Sequence, residues 1–333
     1  MQEATPELAA VNAGPLKFEY KGDNGTFFGI YFKNIILTMV TMGIYSFWAK
    51  VENTQYIYQH LFFNGRQFNY HATGKELFIG FLKGMGIVIG VAIVFSLLSF
   101  GLISLLGATV GMVVLYVIIL PAYFFVVPFI MYGKMKFWLA RTSWSNVRFR
   151  FDGEYKPLLK MFAKMVLFSI LTLGLYLPFW ITNFQKYMTD HASIGQARFQ
   201  YHGTGKDLFW MYLKGFLLTM VTLGIYYPWF LATVTRYMMG NTTLASKPIR
   251  CNVSGGQFFK LILGNLFLVL CTFGLAFPVA INRQMRVFFG SLELDSDESI
   301  LQGIMAQPDY EASAFAGGLE QAADALDAVT GLL

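Results

Sequence analysis

The chain contains five short segments in which apolar and polar residues alternate, and a long apolar run follows each of them. The first segment is Phe18-Glu19-Tyr20, which meets a breaker at Gly22. Corresponding segments begin at Phe68, Phe149, Phe199 and Cys251. Alternation with a period of two predicts a short β-strand, and the apolar runs predict helices. The chain is therefore predicted to consist of five tandem units of about fifty residues.

Four of these units share an element that interrupts the apolar run. A threonine is followed by a glycine and, in three units, by a proline: Thr41, Gly43, Thr172, Gly174, Pro178, Thr222, Gly224, Pro228, Thr272, Gly274 and Pro278. Proline removes a backbone donor and clashes with the preceding turn, so each run is predicted to be a broken helix or a helical hairpin. The threonine hydroxyl is the expected partner of a backbone group freed at the break.

Local signals also mark the connections between units. Asn64-Gly65, between two short β-like runs, predicts a β-hairpin. Thr73 and Glu76 are predicted to form a capping box at the start of the next helix, and Thr204 with Asp207 repeats it with a shorter acidic side chain.

The landmarks divide the chain into seven predicted segments. The second unit is longer than the others because 31 apolar residues are inserted between Lys83 and Pro128. The segments are a polar N-terminal segment at 1–16, units at 17–66, 67–147, 148–197, 198–248 and 249–294, and an acidic tail at 295–333.

The composition of the chain indicates that these helices lie in a membrane. Hydrophobic residues make up 56% of the 333 residues and charged residues only 13%, whereas soluble domains carry about 25% charged residues. A water-soluble fold of this size has too much surface to hide so much apolar side chain. We therefore predict a polytopic α-helical membrane protein. The first residues include no apolar segment, so no cleavable signal peptide is expected.

Charge distinguishes between two possible topologies. Single crossings by most units would put the connections on alternating faces of the membrane, whereas helical hairpins would put them all on one face. All 25 Lys and Arg lie in the connections or within a turn or two of them, and basic residues accumulate on the cytoplasmic side. This pattern favours hairpins, with short β-hairpins gathered at the cytoplasmic face and both termini in the cytoplasm.

Basic residues also form two sets at equivalent positions of the units. The first set is Lys33, Lys83, Lys164 and Lys214, and the second is Lys136, Lys186, Arg236 and Arg286. Tandem units would arrange each set as a ring near the cytoplasmic boundary. One interpretation is that the side chains snorkel to the interface and set the helix depth. The other is that the rings bind anionic phospholipid headgroups or an anionic solute.

Patterns typical of catalysis or metal binding are missing from the sequence. His60, His71, His191 and His202 have no carboxylate at a fixed offset and are interpreted as interfacial histidines. Cys251 and Cys271 predict neither a disulfide framework nor a thiolate metal site. Gly203-Thr204-Gly205-Lys206 lacks the other residues of a phosphate-binding loop and is better explained as a helix cap. We expect no enzymatic activity, cofactor, metal or nucleic-acid partner.

These residues resemble the YjgN family of bacterial inner-membrane proteins, whose shared domain has no assigned function. The resemblance rests on Phe-x-Tyr-x-Gly, on Thr-x-Gly-Ile-Tyr-x-x-Trp at Thr41–Trp48, and on Tyr-His-x-Thr-Gly-Lys-(Glu/Asp)-Leu-Phe at Tyr70–Phe78 and Tyr201–Phe209. It covers about residues 17–290 and leaves out the acidic tail. It implies a multi-pass protein of the inner membrane, with no established substrate.

Two functional hypotheses follow. In the first, the protein is a non-enzymatic transporter or channel for a small solute or ion, because helix breaks at membrane depth commonly line transport sites. In the alternative, it is a structural or lipid-organising protein whose basic rings bind anionic phospholipids. The scarcity of charged residues in the apolar runs counts against transport.

Overall fold

The computed structural model describes residues 15–296 and 299–305, and its centre is a closed barrel of ten antiparallel strands. Five-residue strands alternate with three-residue strands around the barrel. The long strands are β1 Leu16–Tyr20, β3 Arg66–Tyr70, β5 Val147–Phe151, β7 Ala197–Tyr201 and β9 Lys247–Cys251. The short strands are β2 Leu61–Phe63, β4 Thr142–Trp144, β6 Ala192–Ile194, β8 Thr242–Leu244 and β10 Leu292–Leu294.

Two helices connect each long strand to the next short strand. These pairs are α1 Asn24–Val40 with α2 Ser46–Gln59, α3 Gly74–Leu106 with α4 Ala108–Ala140, α5 Tyr155–Leu171 with α6 Leu177–Asp190, α7 Gly205–Val221 with α8 Tyr227–Gly240, and α9 Gly255–Cys271 with α10 Phe277–Phe289. One further short helix, α11 Ser299–Met305, follows the last strand.

The barrel has an apolar interior because successive side chains of a strand point to opposite faces. The middle residue of each long strand pairs with the last residue of a short strand, as Phe18 does with Phe63 and Phe68 with Trp144, and these residues belong to one buried cluster. Most outward-facing neighbours are polar, and Lys17 lies 3.8 Å from Glu293 on this face. The alternation that predicted strands therefore also separates the inside of the barrel from its outside.

Helices and tight turns lie at opposite ends of the barrel. At one end, Tyr20 pairs with Leu61, and the chain between them forms the α1–α2 hairpin. At the other end, Phe63 pairs with Arg66 across a two-residue turn. Asn64 and Gly65 both have positive φ in this turn, as a tight hairpin of this kind requires. The other units have the same arrangement, so all five helical hairpins leave the same end.

The ten hairpin helices form a closed ring around the barrel axis. Each helix packs against the helices before and after it along the chain, and α10 packs against α1. Asn282 of α10 is fully buried at this last junction, where it accepts a 2.5 Å hydrogen bond from Tyr20 and donates to the backbone oxygen of Asp23. Burial, with a smaller contribution from Tyr56, raises the pKa of Tyr20, so its hydroxyl remains a donor.

The predicted fold class is corrected by this architecture. The predicted polytopic α-helical membrane protein, with separate β-hairpins gathered at one face, is wrong, because the strands of all units join into one closed barrel. Within the described ranges one helix, α3, is long and apolar enough to cross a membrane by length and composition. Periodicity identified the five long strands locally but carries no information about pairing between units.

The predicted segment boundaries remain predictions. Most of the N-terminal segment at 1–16 and most of the acidic tail at 295–333 lie outside the described residues. The part of the tail that is described includes α11, whose Leu301 and Ile304 are buried in the barrel cluster. This helix lies at the turn end of the barrel, where the backbone oxygen of Ile304 is close to Gly195.

Candidate membrane-facing surface and barrel cavity

The threonines of the interrupting element end the first helix of four hairpins. Thr41 is the residue that follows α1; its hydroxyl donates to the backbone oxygen of Leu37 at 2.7 Å and accepts from the backbone N–H of Tyr45 at 2.9 Å. Thr172, Thr222 and Thr272 make the same pair of bonds at 2.6–3.1 Å. One side chain thus satisfies the carbonyl of one helix and the amide of the turn that leads to the next.

The turn itself has a left-handed residue between threonine and glycine. Gly43 donates its N–H to the oxygen of Thr38 and Met42 donates to Met39, which is the Schellman pattern of a helix end. Met42 has φ of 49°, in the position that glycine usually occupies. Leu173, Leu223 and Phe273 have φ of 50–51° at the same position. A left-handed residue other than glycine costs roughly 1–2 kcal/mol.

Among the hairpin residues whose exposure the structure describes, these four left-handed residues are also the most exposed apolar side chains. Met42 is 96% exposed, Leu173 94%, Leu223 93% and Phe273 97%. Each hairpin therefore accepts backbone strain and presents a bulky apolar side chain at its tip. Such tips are unfavourable in water and are suited to an apolar medium.

The prolines begin the returning helices and do not kink a continuous helix. Pro178, Pro228 and Pro278 lie in the first turns of α6, α8 and α10, where a missing N–H costs nothing. Phe47 occupies this position in α2. The predicted helix breaks are therefore the turns of the four short hairpins, at the end of each hairpin that is farther from the barrel.

The second unit has a much longer hairpin. Its two 33-residue helices meet at Gly107, which has φ of 79°. Beyond Lys83 no charged residue occurs until Lys134. At 1.5 Å per residue, the path from Lys83 to Gly107 is about 36 Å long, enough for the roughly 30 Å hydrocarbon core of a bilayer.

The first basic set lies at one level of the hairpins. Lys33, Lys164 and Lys214 each precede the glycine of the tip by ten residues, which is about 15 Å along a helix. Lys33 forms a 2.5 Å ion pair with Glu52 of the returning helix. Lys83, Lys164 and Lys214 are exposed and, among the described residues, form no ion pair.

The residues of the second basic set differ from one another in their contacts. Lys136 lies over the ring of Tyr132, 5.6 Å from its centroid, and Lys186 is exposed. Arg236 bonds to Thr233 of its own helix, whereas Arg286 donates to the backbone oxygen of Gly22 at 3.0 Å. These residues lie on successive hairpins. Arg286 thus supports the junction between the last and first units.

The four histidines form hydrogen bonds with backbone and side-chain groups at the edge of the barrel. His60 and His191 bond through Nδ1 to backbone oxygens at 2.8 Å, while His71 and His202 bond through Nε2 to the hydroxyls of Ser143 and Thr243. Within the described residues, His, Cys, Asp and Glu form no group of three or more that could hold a metal.

Sequence reasoning missed a cavity inside the barrel. It has a volume of about 450 Å³, and its wall is almost entirely apolar. Stacked phenylalanines from four long strands form part of the wall: Phe18, Phe68, Phe149 and Phe199, with neighbouring ring centroids 6.2–6.5 Å apart. The signal in the sequence was the phenylalanine at the middle of four predicted strands, but closure of the barrel was needed to bring these rings together.

The two ends of the cavity differ. Ile304 of α11 lies at the turn end of the barrel, and Trp138 and Met285 come from the helices at the other end. Ile304 is 1% exposed, whereas Trp138 is 41% exposed. The turn end of the cavity is therefore plugged by α11, whereas the wall at the other end includes a partly exposed side chain.

Comparisons with known proteins connect the chain to the bacterial inner membrane. A family model described as a bacterial protein of unknown function (DUF898) matches residues 15–216, 196–250 and 235–322. Inner membrane protein YjgN of Salmonella typhimurium is 29% identical over 163 residues, which is 46% of this chain and 38% of that protein. Inner membrane protein YjgN of Escherichia coli K12 is 35% identical over 65 residues, 20% of this chain and 16% of that protein.

The matched segments thus span well under half of these relatives. No solved structure matches the chain. The names of the relatives support an inner-membrane location and leave the function open.

Proposed function

Because the chain belongs to the DUF898 family and is similar to inner membrane protein YjgN, we propose that it organises anionic lipids from one face of the inner membrane. The four short hairpins enter one leaflet, and the long α3–α4 hairpin crosses the bilayer. The barrel remains in the cytoplasm, and the exposed lysines bind lipid headgroups. The observation that carries this proposal is the set of four strained, exposed apolar side chains at the hairpin tips.

The length of the apolar tip regions supports insertion into a single leaflet. About 15 Å separates Lys164 from the tip at Gly174 along the helix, which is half of the roughly 30 Å hydrocarbon core. Leu167, Ile170 and Leu171 lie in this region and are exposed. Four such wedges in one leaflet would displace its lipids without crossing the other leaflet.

The lysines lie where the headgroups of that leaflet would be. Lys83, Lys164 and Lys214 are exposed and have no ion-pair partner among the described residues, so they are available to phosphate groups. A basic residue near an anionic membrane surface contributes about 1 kcal/mol to binding. Snorkelling also places the ammonium group of a lysine at the membrane interface. In this proposal the ammonium groups at the interface bind the phosphates of the headgroups.

Charge supports a cytoplasmic barrel. The outer face of the barrel and the helix starts carry many basic residues, including Lys75, Lys156 and Lys206, and basic segments stay on the cytoplasmic side. The first and last described strands are neighbours in the barrel, since Leu16 pairs with Leu294. Both ends of the described chain therefore lie in the cytoplasm in this proposal.

The transporter hypothesis has less support than the lipid-organising proposal. The hypothesis of a transporter depended on helix breaks that line a site at membrane depth. Gly43, Gly174, Gly224 and Gly274 instead lie at hairpin tips, beside the most exposed apolar residues. A pathway for a polar solute would also need polar walls, whereas the barrel cavity is apolar.

Replacing the three exposed lysines tests the proposal. We expect K83Q/K164Q/K214Q to reduce the phosphatidylglycerol retained relative to phosphatidylethanolamine by up to about 100-fold, since three lysines contribute about 3 kcal/mol. The measurement is the ratio of the two lipids co-purified with the chain, counted by native mass spectrometry.

The control removes the same charge from the same helices. Lys75, Lys156 and Lys206 are exposed and each precedes its partner by eight residues, about 12 Å nearer the barrel. K75Q/K156Q/K206Q should leave most of the phosphatidylglycerol preference intact. Equal losses in both variants, or no loss in the first, would contradict headgroup binding at this level.

A further inference from the structure

The barrel cavity is too large and too apolar to be explained as ordinary packing. Protein interiors contain few voids larger than a water molecule, and this void of about 450 Å³ has room for about 15 waters at about 30 Å³ each. Water in it would find almost no hydrogen-bond partner, because the walls are Phe, Leu, Ile, Trp and Met side chains with few polar groups. An empty cavity of this size would forfeit many packing contacts.

The width of the barrel explains why the space exists. Eight strands enclose an interior that side chains just fill, whereas ten strands enclose more. The chain lines this space with large rings, and α11 fills its turn end with Leu301 and Ile304. A central space remains beside the buried plug, and three of the four rings, those of Phe18, Phe149 and Phe199, are only partly buried.

We propose that the barrel holds a single hydrocarbon chain of a lipid, such as a fatty acyl chain, inserted from the end that faces the helical hairpins. The size fits, because an apolar cavity of about 150 Å³ holds the six carbons of benzene, so about 450 Å³ holds on the order of 18 carbons. The aromatic and aliphatic walls contact methylene groups and leave no polar partner for a charged group inside.

The direction of entry follows from the two ends of the barrel. The turn end is closed by α11, and the backbone oxygen of Ile304 is so close to Gly195 that a Cβ there would lie only 2.6 Å away. At the other end the cavity wall includes Trp138, which is substantially exposed, together with Tyr58 and Phe289. A chain entering there keeps its polar end outside the barrel. This site is separate from the lysines and does not require them.

Trp144 provides an internal probe for this site. It lines the cavity and is 1% exposed, so a quencher reaches it only from inside the barrel. In a variant that keeps Trp144 and replaces the other five tryptophans by phenylalanine, dibromostearic acid in nanodiscs should quench more than half of the fluorescence and saturate at low mole fraction. A second variant that keeps only Trp210, half exposed on α7, should be quenched weakly and in proportion to the bromolipid content.

Filling the cavity with larger side chains should greatly reduce the quenching of Trp144 by dibromostearic acid. I194F/L244F places two rings in the barrel at the position that Phe63 already occupies in the first unit, so the fold has a precedent for them. We expect this change to reduce quenching of Trp144 at least about 5-fold. The control S193F/T243F places the same rings on the outer face, where Phe62 lies in the first unit, and should leave quenching unchanged.

A second measurement avoids the multiple tryptophan replacements. The otherwise unaltered chain should retain about one dibromostearate in native mass spectrometry, recognised by its bromine isotope pattern, and I194F/L244F should lose it. The proposal is overturned if Trp210 is quenched while Trp144 is not, or if the filled barrel binds as much bromolipid as the outer-face control.

Discussion

Four residues with left-handed backbones are the clearest functional signal at the scale of single side chains. Met42 and its three equivalents accept a conformation that favours glycine, although glycine is the next residue in each case. The sequence predicted the break and the role of the threonine hydroxyl, because both depend on local chemistry. It did not predict which residue would be left-handed, since this depends on where the helix ends.

The threonine hydroxyls permit a matched stability test. Thr222 donates to Leu218 and accepts from Tyr226 N–H, whereas the buried hydroxyl of nearby Thr219 has no hydrogen-bond partner among the described residues. We expect Thr222→Val to lower the free energy of unfolding by about 1–3 kcal/mol, because it leaves the Tyr226 amide unpaired. Thr219→Val should be neutral or slightly stabilising, as measured by thermal unfolding in detergent. An equal effect of both changes would count against the role assigned to Thr222.

At the scale of elements, the hairpins fall into a short and a long class. Four have first helices of 17 residues, and the α3–α4 hairpin has helices of 33 residues. The insertion in the second unit, visible in the sequence, is therefore an extension of both helices. The predicted capping box of Thr73 and Glu76 is confirmed, as is the Asn64-Gly65 turn, since each is set by neighbours in the chain.

Because the hairpins differ in length, we expect their tips to differ in accessibility to a maleimide added from the periplasm. With Cys251 and Cys271 replaced by serine, Ala108→Cys at the tip of the long hairpin should react with a membrane-impermeant maleimide from the periplasm. Leu173→Cys, at the tip of a short hairpin, should react from neither side, because it would lie within the hydrocarbon core. Labelling of Leu173→Cys from the periplasm would show that the short hairpins also cross.

At the scale of the whole molecule, the barrel links the five units. The first strand pairs with the last, Leu16 with Leu294, and α10 packs on α1 through Asn282. Closure leaves no free strand edge and gathers the helical hairpins at one end. It also creates the cavity, which belongs to no single unit.

The orientation of this assembly has its own test. Ala245 lies exposed in the turn between β8 and β9, at the end of the barrel opposite the hairpins. In the same cysteine-replaced background, Ala245→Cys should react with an impermeant maleimide in inverted membrane vesicles and remain unreacted in intact spheroplasts. The reverse pattern would place the barrel in the periplasm.

The sequence alone determined the five long strands, the Asn64-Gly65 turn, the Thr73 helix cap and the breaks in the apolar runs, because period-two alternation, Asn-Gly, threonine and proline act on neighbouring residues. Only the tertiary structure decided that Phe18, Phe68, Phe149 and Phe199 face one another around a cavity and that α11 plugs it. Strand number, tilt and the pairing of the first strand with the last set the width of a barrel, and these are properties of the closed sheet as a whole. No local pattern in the chain specifies them.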